Sequence, residues 1–239
     1  MNGIHEYQLP LWHETVDCTF LDGFGGTPEE TSGMMPLESI RVVLEKDGIL
    51  VVEKPTGLLS QPGKGPDLKD SVLTRVKAQV PWAELVHRLD RDTSGLLMLA
   101  LDPRVHRDMS MAFAERKVDK HYIGVCEGEI EGVSGSVVCP LARIATQPPE
   151  YAEHPDGRIA VTQWQNLGTT HSHTRVRLIP ITGRSHQLRI HLKMIGHPLL
   201  GDPIYGQGQG DRLKLHAEWL RFQHPVGGEW LEVTSPSPF

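Results

Sequence analysis

The sequence predicts an α+β fold, with a mixed, largely antiparallel β-sheet core flanked by helices. Three observations predict it. Runs rich in Val, Ile and Leu are joined by hairpin punctuation such as Lys46-Asp47-Gly48, and Asp-Gly suits a tight turn because both residues tolerate positive φ. Candidate strands outnumber candidate helices. The helices also fail to alternate regularly with strands, as they would in a doubly wound parallel sheet.

The elements follow in order. SIRVVLEKDGILVVEKP is a hairpin, and TGLLSQPGKGPDLKD is a Gly/Pro loop. Residues 71–76 have the 3.6-residue apolar spacing of a short helix that ends before Pro81. Residues 85–90 alternate and residues 95–101 are continuously apolar, the pattern of one strand, a polar turn and a second, buried strand. Residues 105–117 read as an amphipathic helix, and 121–127, 135–139, 160–166 and 173–179 as strands. Residues 185–195 read as a helix stopped by Gly196 and Pro198. HAEWLRFQHP and GGEWLEVT form a last hairpin across Gly227-Gly228.

Two domains are expected: an acidic N-terminal extension, residues 1–40, and one folded domain, residues 41–239. The first forty residues hold seven Asp and Glu and no Lys or Arg, so of the chain's formal −6 the remainder carries only +1. Trp12, Phe20 and Phe24 are candidate anchors for the extension. A near-neutral body permits a nucleic-acid partner without indicating one. No apolar stretch approaches the roughly 18 residues of a membrane-spanning helix, and MNGIHEYQLPLWHE has neither the basic nor the apolar region of a secretory signal. The expectation is a cytoplasmic protein. Cys18, Cys126 and Cys139 share no metal or redox spacing and read as free thiols.

Two segments can carry chemistry. In HRLDRDTSGLLMLA, an extended backbone places Arg88 and Asp90 on one face, about 7 Å apart at ~3.3 Å per residue. Asp90, Asp92, Thr93 and Ser94 can equally be read as turn and capping residues, but that reading does not explain Arg88. A cation beside a strand-end carboxylate favours its charged form, which suits a nucleophile or an electrostatic stabiliser. In PITGRSHQLRIHLKMIGHPLLGDPIYG, Leu188, Leu192 and Ile195 form a core stripe. His186, Arg189 and Lys193 form a polar one, either functional or simply solvated. Arg184 at the helix start is unfavourable unless an anion binds there. His186 and His191 are five apart and diverge on a helix, and no His-Glu-x-x-His occurs, so no metal site is expected. Nucleotide-binding glycine motifs and a Gly-x-Ser-x-Gly elbow are absent, and no cofactor is expected.

HRLDRDTSGLLMLA resembles the His-Arg-Leu-Asp motif of the RluA family of RNA pseudouridine synthases. VVEKPTGLLSQPG, DKHYIGVCEG, PITGRSHQLRIHL, GHPLLGDPIYG and RLKLHAEWLRFQHP follow in the family's order and spacing, over roughly residues 40 to 235. The match is closest to the short members that act on an rRNA hairpin loop and a tRNA anticodon stem-loop. The resemblance implies a pseudouridine synthase-like fold and an isomerase that needs no cofactor. It implies that Asp90 is the essential carboxylate, acting on the sugar C1′ or through a glycal-type elimination. It implies that Tyr122 packs against the target base, that Arg189 pairs with Asp90 and that Leu188 lines the pocket. Arg88 would fill the space of a flipped base, and Arg184 and His186 would contact the RNA. RNA, as an rRNA or tRNA stem-loop, is the expected partner of a monomer. The family's basic N-terminal RNA-binding domain, present in several members, has an acidic counterpart here. Two other readings stay open: a non-catalytic RNA-binding or RNA-chaperone module using the same surface, and a metal-dependent hydrolase built on Asp90, Asp92 and a histidine.

Overall fold

The first hairpin forms where Asp-Gly demands it. Strand β1 (Arg41–Lys46) turns through Asp47 (φ 43°) and Gly48 (φ 86°) into β2 (Ile49–Lys54), the left-handed pair that a two-residue turn requires. The structure is a computed structural model describing residues 40–146, 149–170, 172–208 and 210–239, all within one unit, Met35–Phe239. The readings for residues 1–39, namely the acidic extension, its anchors Trp12, Phe20 and Phe24, and the thiol of Cys18, lie outside the described residues.

After a 3-10 turn (Pro66–Leu68), helix α1 (Val72–Lys77) starts at Ser71, whose hydroxyl accepts from Thr74 N at 3.0 Å. Strands β3 (Glu84–Leu85) and β4 (Ser94–Ala100) follow. Helix α2 (Pro103–Ala114) is capped by Asp102, with Pro103 in the first turn. Strands β5 (Asp119–Glu127), β6 (Ser134–Thr146), β7 (Pro149–Glu153), β8 (Arg158–Thr170) and β9 (His173–Pro180) lead to α3 (Gln187–Met194), then β10 (Leu215–Gln223) and β11 (Trp230–Thr234). One sheet runs β1-β2-β4-β10-β5-β9-β8-β6-β7, with β11 on β10 and β3 on β4. Every pairing is antiparallel except β4 with β10, so the mixed, largely antiparallel sheet is as expected.

Burial explains the hydrophobic patterns. Every residue of β4 is buried because helices cover both faces: Leu97 and Leu99 pack with Val72 and Val76 of α1, while Leu96 and Met98 pack with Val105 and Met109 of α2. Each such side chain contributes about 1.5–3 kcal/mol. Leu188 and Leu192 of α3 lie against Val176 and Leu178 of β9, and Ile195 joins them, so the predicted core stripe holds.

Four sequence readings need correction. Of the strand expected at residues 85–90, only Leu85 pairs with β4, alongside Glu84, and a last backbone bond runs from Val86 N to Met98 O at 3.1 Å. Beyond it, side chains replace a neighbouring strand: Ser60 Oγ accepts from Leu89 N at 3.0 Å and donates to Leu89 O at 2.8 Å, while Met98 N donates to His87 Nε2 at 3.0 Å. The helix expected at 185–195 begins at Gln187, because the Gln187 side chain accepts from Thr182 Oγ1 and Arg184 N and so pins residues 182–187 as a loop. The helix expected at 105–117 starts two residues earlier at its Asp102 cap and ends at Ala114, ahead of Arg116 with φ 61°. Strand β7 was not expected, and β6 and β8 run past their predicted ends, where alternating burial fades and the periodic signal with it.

Candidate active site

The seven residues singled out by sequence, Arg88, Asp90, Tyr122, Arg184, His186, Leu188 and Arg189, all line one cleft of about 1000 Å³. The Ser60 clamp on Leu89 delivers Asp90 to its wall, and Thr93 N closes a turn on Asp90 O at 3.2 Å. The Asp90 side chain is 29% exposed, and Arg88 beside it is exposed to solvent. On the underside, Lys54 is fully buried and donates to the carbonyls of Pro55, Leu58 and Arg91 at 2.8, 2.6 and 2.7 Å. It ties the β2 exit loop to the turn that carries Asp90. Burial pushes the Lys54 ammonium down to about 7, against the opposing pull of Asp92 and Asp90.

Helix α3 supplies the facing wall. Arg189 Nη1 lies 3.8 Å from Asp90 Oδ2, an ion pair longer than a hydrogen bond. Its hydrogen-bonded partner is Asp202, in a two-pronged contact: Nε to Oδ2 at 2.7 Å and Nη2 to Oδ1 at 2.6 Å. With 2% of its side chain exposed, Arg189 does not belong to a solvated face. Burial opposes its charge, but the bonds and charge of Asp202, aided by Asp90, outweigh it and raise its pKa. Burial likewise opposes the Asp202 carboxylate, and Arg189 together with the Tyr205 and Ile204 amides reverses the balance and lowers it.

Tyr122 enters from β5, which pairs with both β10 and β9. Burial, then the Asp90 charge, raises its pKa well above the ordinary phenol value, so it remains a hydroxyl group. His186 caps α3 in the left-handed region (φ 56°, ψ 12°). Its Nδ1 is 2.8 Å from Tyr205 Oη and its Nε2 is 4.0 Å from Asp90 Oδ2. Leu188 packs into the α3 core while also bordering the cleft.

Cations dominate the cleft although the chain is acidic: eight Lys and Arg line it against two carboxylates, Asp90 and Asp92. Arg116 and Lys120 come from the α2–β5 junction, and Arg143, Arg158 and Arg184 from the β6–β8 side. Burial, then the like charges of Arg158 and Arg116, lowers the pKa of Arg184. Cations crowded in this way are relieved by a bound polyanion. Among the described residues, no group of three His, Cys, Asp or Glu could hold a metal ion.

Sequence reasoning assigned no role to Lys54, Ser60, Asp202 or Tyr205, although EKP and GDPIYG lay within quoted segments. One physical signal was available: an arginine that pairs with a carboxylate across a cleft needs a second acid if it is buried, and Asp202 is the acid nearest in sequence to α3 on its C-terminal side.

A carboxylate backed by a guanidinium and a tyrosine, in a basic cleft wide enough for a nucleoside, agrees with what known proteins show. Residues 48–194 match the family model described as RNA pseudouridylate synthase. The dual-specificity RNA pseudouridine synthase RluA of Pasteurella multocida (strain Pm70) is 41% identical over 204 residues, covering 83% of this chain and 93% of the relative. The RluA of Escherichia coli (strain K12) is 40% identical over 211 residues, covering 85% and 96%. The solved structure of human RNA pseudouridylate synthase domain containing 1 superposes with a TM-score of 0.73 at 27% identity, over 87% of each chain. Human RNA pseudouridylate synthase domain containing 4 shares the fold, with a TM-score of 0.68 at 24% identity over 83% of this chain and 88% of its own. With residues 48–194 matched by the family model and about 40% identity to these relatives over more than four fifths of its length, the chain belongs to the RNA pseudouridylate synthase family.

Proposed function

We propose that the chain isomerises uridine to pseudouridine in structured RNA loops, one in 23S rRNA and one in a tRNA anticodon stem-loop. The observation that carries this reading is the single basic cleft in which Asp90, Tyr122 and Arg189 meet. Its supports are the family match and the dual specificity printed in the names of the relatives. The catalytic domain is residues 41–239, acting as a monomer in the cytoplasm; no helix among the described residues is long and apolar enough to cross a membrane.

Uridine isomerisation breaks the N1–C1′ bond, turns the base and rejoins it through C5, with no net redox change and no group passed to an acceptor. Side chains alone can supply that chemistry. In this reading the target uridine leaves its stack at a cost of a few kcal/mol, and Arg88 fills the gap with a planar group able to stack and to bind phosphate. Asp90 acts at the sugar, Arg189 directs it, and the Tyr122 ring and the Leu188 side chain hold the base. Arg184 and the cations beside it take the phosphates.

The test maps pseudouridine at single-nucleotide resolution in cells with and without the protein, alongside Asp90→Asn. The expected outcome is loss of one rRNA and one tRNA signal, restored by the wild-type chain but not by the variant, which still binds the stem-loop. Full conversion by Asp90→Asn would remove Asp90 from the reaction. Cellular function retained without conversion would favour the non-catalytic RNA-binding module.

A further inference from the structure

The loop that follows α3 touches both groups that face Asp90. Asp202 grips Arg189, and three residues later Tyr205, whose own amide donates to Asp202 Oδ1 at 3.0 Å, reaches His186. Arg189 and His186 make their closest approach to the same carboxylate oxygen, Asp90 Oδ2, at 3.8 and 4.0 Å. A segment of four residues therefore sets two donors on one atom.

Donor and acceptor counting favours one tautomer. Tyr205 Oη accepts from the Tyr151 amide at 2.9 Å and lies 2.8 Å from His186 Nδ1, to which its own hydrogen is free to donate. A bare Nε2 would turn a lone pair towards an acceptor-only carboxylate, so the ring hydrogen belongs on Nε2, pointing at Asp90. Burial favours the uncharged ring and so does Arg189, while Asp90 opposes them; the net shift in pKa is downward. Edge-on contacts of the ring with Tyr151 and Tyr205 fix its plane, and the Arg189 guanidinium sits 5.0 Å from the Tyr205 ring centre. The ring is 10% exposed, little for a residue meant to meet RNA phosphates. Its backbone lies in the left-handed region, which His, like Asn and Asp, enters more readily than most residues.

We infer that His186 is a positioning residue, locked by the Tyr205 hydroxyl in its Nε2–H tautomer so that it and Arg189 anchor Asp90 Oδ2 and present Oδ1 to the uridine. This rests on the proposed isomerase reading and adds to it which oxygen reacts. It also moves His186 from the RNA surface to the support of the carboxylate.

The test uses the full chain and a stem-loop RNA with His186→Asn, His186→Gln and Tyr205→Phe. Asn tolerates the left-handed backbone but is too short to reach, whereas the Gln amide nitrogen extends about as far as Nε2. Displacing a reacting group by about 1 Å can cost about a hundredfold, so kcat is expected to fall about tenfold to a hundredfold in His186→Asn. It should fall less in Tyr205→Phe and be partly restored in His186→Gln. RNA affinity should stay within about twofold throughout, since the lost interaction acts in the reaction step and not in binding. Nitrogen-15 NMR of the imidazole should place the hydrogen on Nε2 in the wild type and shift it towards Nδ1 in Tyr205→Phe. Unchanged kcat in His186→Asn, lost RNA affinity with kcat retained, or an Nδ1–H wild-type ring would each overturn the inference. A wild-type chain that converts no uridine would remove the isomerase reading instead, and the tautomer measurement would still decide whether the Tyr205 lock exists.

Discussion

Arg189 keeps a full positive charge although 2% of its side chain is exposed, and it does so because Asp202, with none exposed, meets it with both oxygens. Such a pair gives little net stability, since desolvation offsets most of the attraction, but removing one member strands the other at a cost of about 3–5 kcal/mol. Asp202→Asn is therefore expected to destabilise by about 3 kcal/mol, read as a lower urea midpoint, and to slow turnover by letting Arg189 tilt towards Asp90. Replacing both members, as Arg189→Met with Asp202→Asn, whose side-chain oxygen still accepts from the Ile204 and Tyr205 amides, should recover part of the stability and none of the activity. A double variant as unstable as the single one would show that the pair is a net stabiliser. Lys54 follows the same logic with neutral partners: three backbone carbonyls, all taken by one buried ammonium, turn a loop crossing into a fixed joint beneath Asp90.

At the scale of elements, the segment bearing Asp90 enters β4 at its contact with β10, the sheet's one parallel pairing, where His216 pairs with Ser94 and Ala217 with Gly95. Gly95 has φ +111°, and a Cβ there would stand 2.3 Å from Ala217 O, so no other residue fits. Gly95→Ala combines backbone strain with a clash against main chain, and a loss of at least about 3 kcal/mol is expected. It should appear in thermal unfolding and as poor recovery of soluble protein, and near-wild-type stability would mean that the β4–β10 contact is loose. Sequence marked DTSG as a turn into a buried strand and could read β4 because seven buried residues leave a continuous apolar run. It could not tell that residues 87–90 leave the sheet, because that rests on side-chain bonds between distant positions, Ser60 to the Leu89 backbone and His87 to Met98 N. The start of α3 was misread for a related reason: the Gln187 side chain bonds Val161 O and Thr162 Oγ1 of β8, a contact that no helical periodicity encodes. Periodicity recovers what packs; it is blind to side chains that stand in for backbone.

Across the whole molecule, charge is sorted by place: the described residues put eight cations around the cleft of a chain whose formal charge is −6. A polyanion therefore meets a local field opposite in sign to the average, and affinity for stem-loop RNA should fall steeply with salt. The same economy of buried charge governs the response to acid. Burial pushes His87 down to about 3 and His121 and His191 down to about 4, with Lys120 adding to the effect at His87 and Arg177 at His121. Unfolded, these rings take a proton near 6.5; folded, they resist it until pH 3–4, so the unfolded chain binds more protons in the interval between. Their contribution to stability is complete above pH 6.5 and is lost as pH falls from there towards 4. At about 1.4 kcal/mol per pH unit, a ring as enclosed as His191, 1% exposed, accounts for about 3 kcal/mol. Urea midpoints should fall from pH 8 towards 7, where buried Lys54 resists the proton that the unfolded lysine already holds, and decline further from 6.5 to pH 4 as the histidines do the same. The slope should be shallower in His191→Leu, which has one fewer ring to protonate on unfolding. A wild-type profile flat down to pH 5, or a His191→Leu profile parallel to it, would mean that these rings accept protons in the folded chain and that the interior around α3 is open to water.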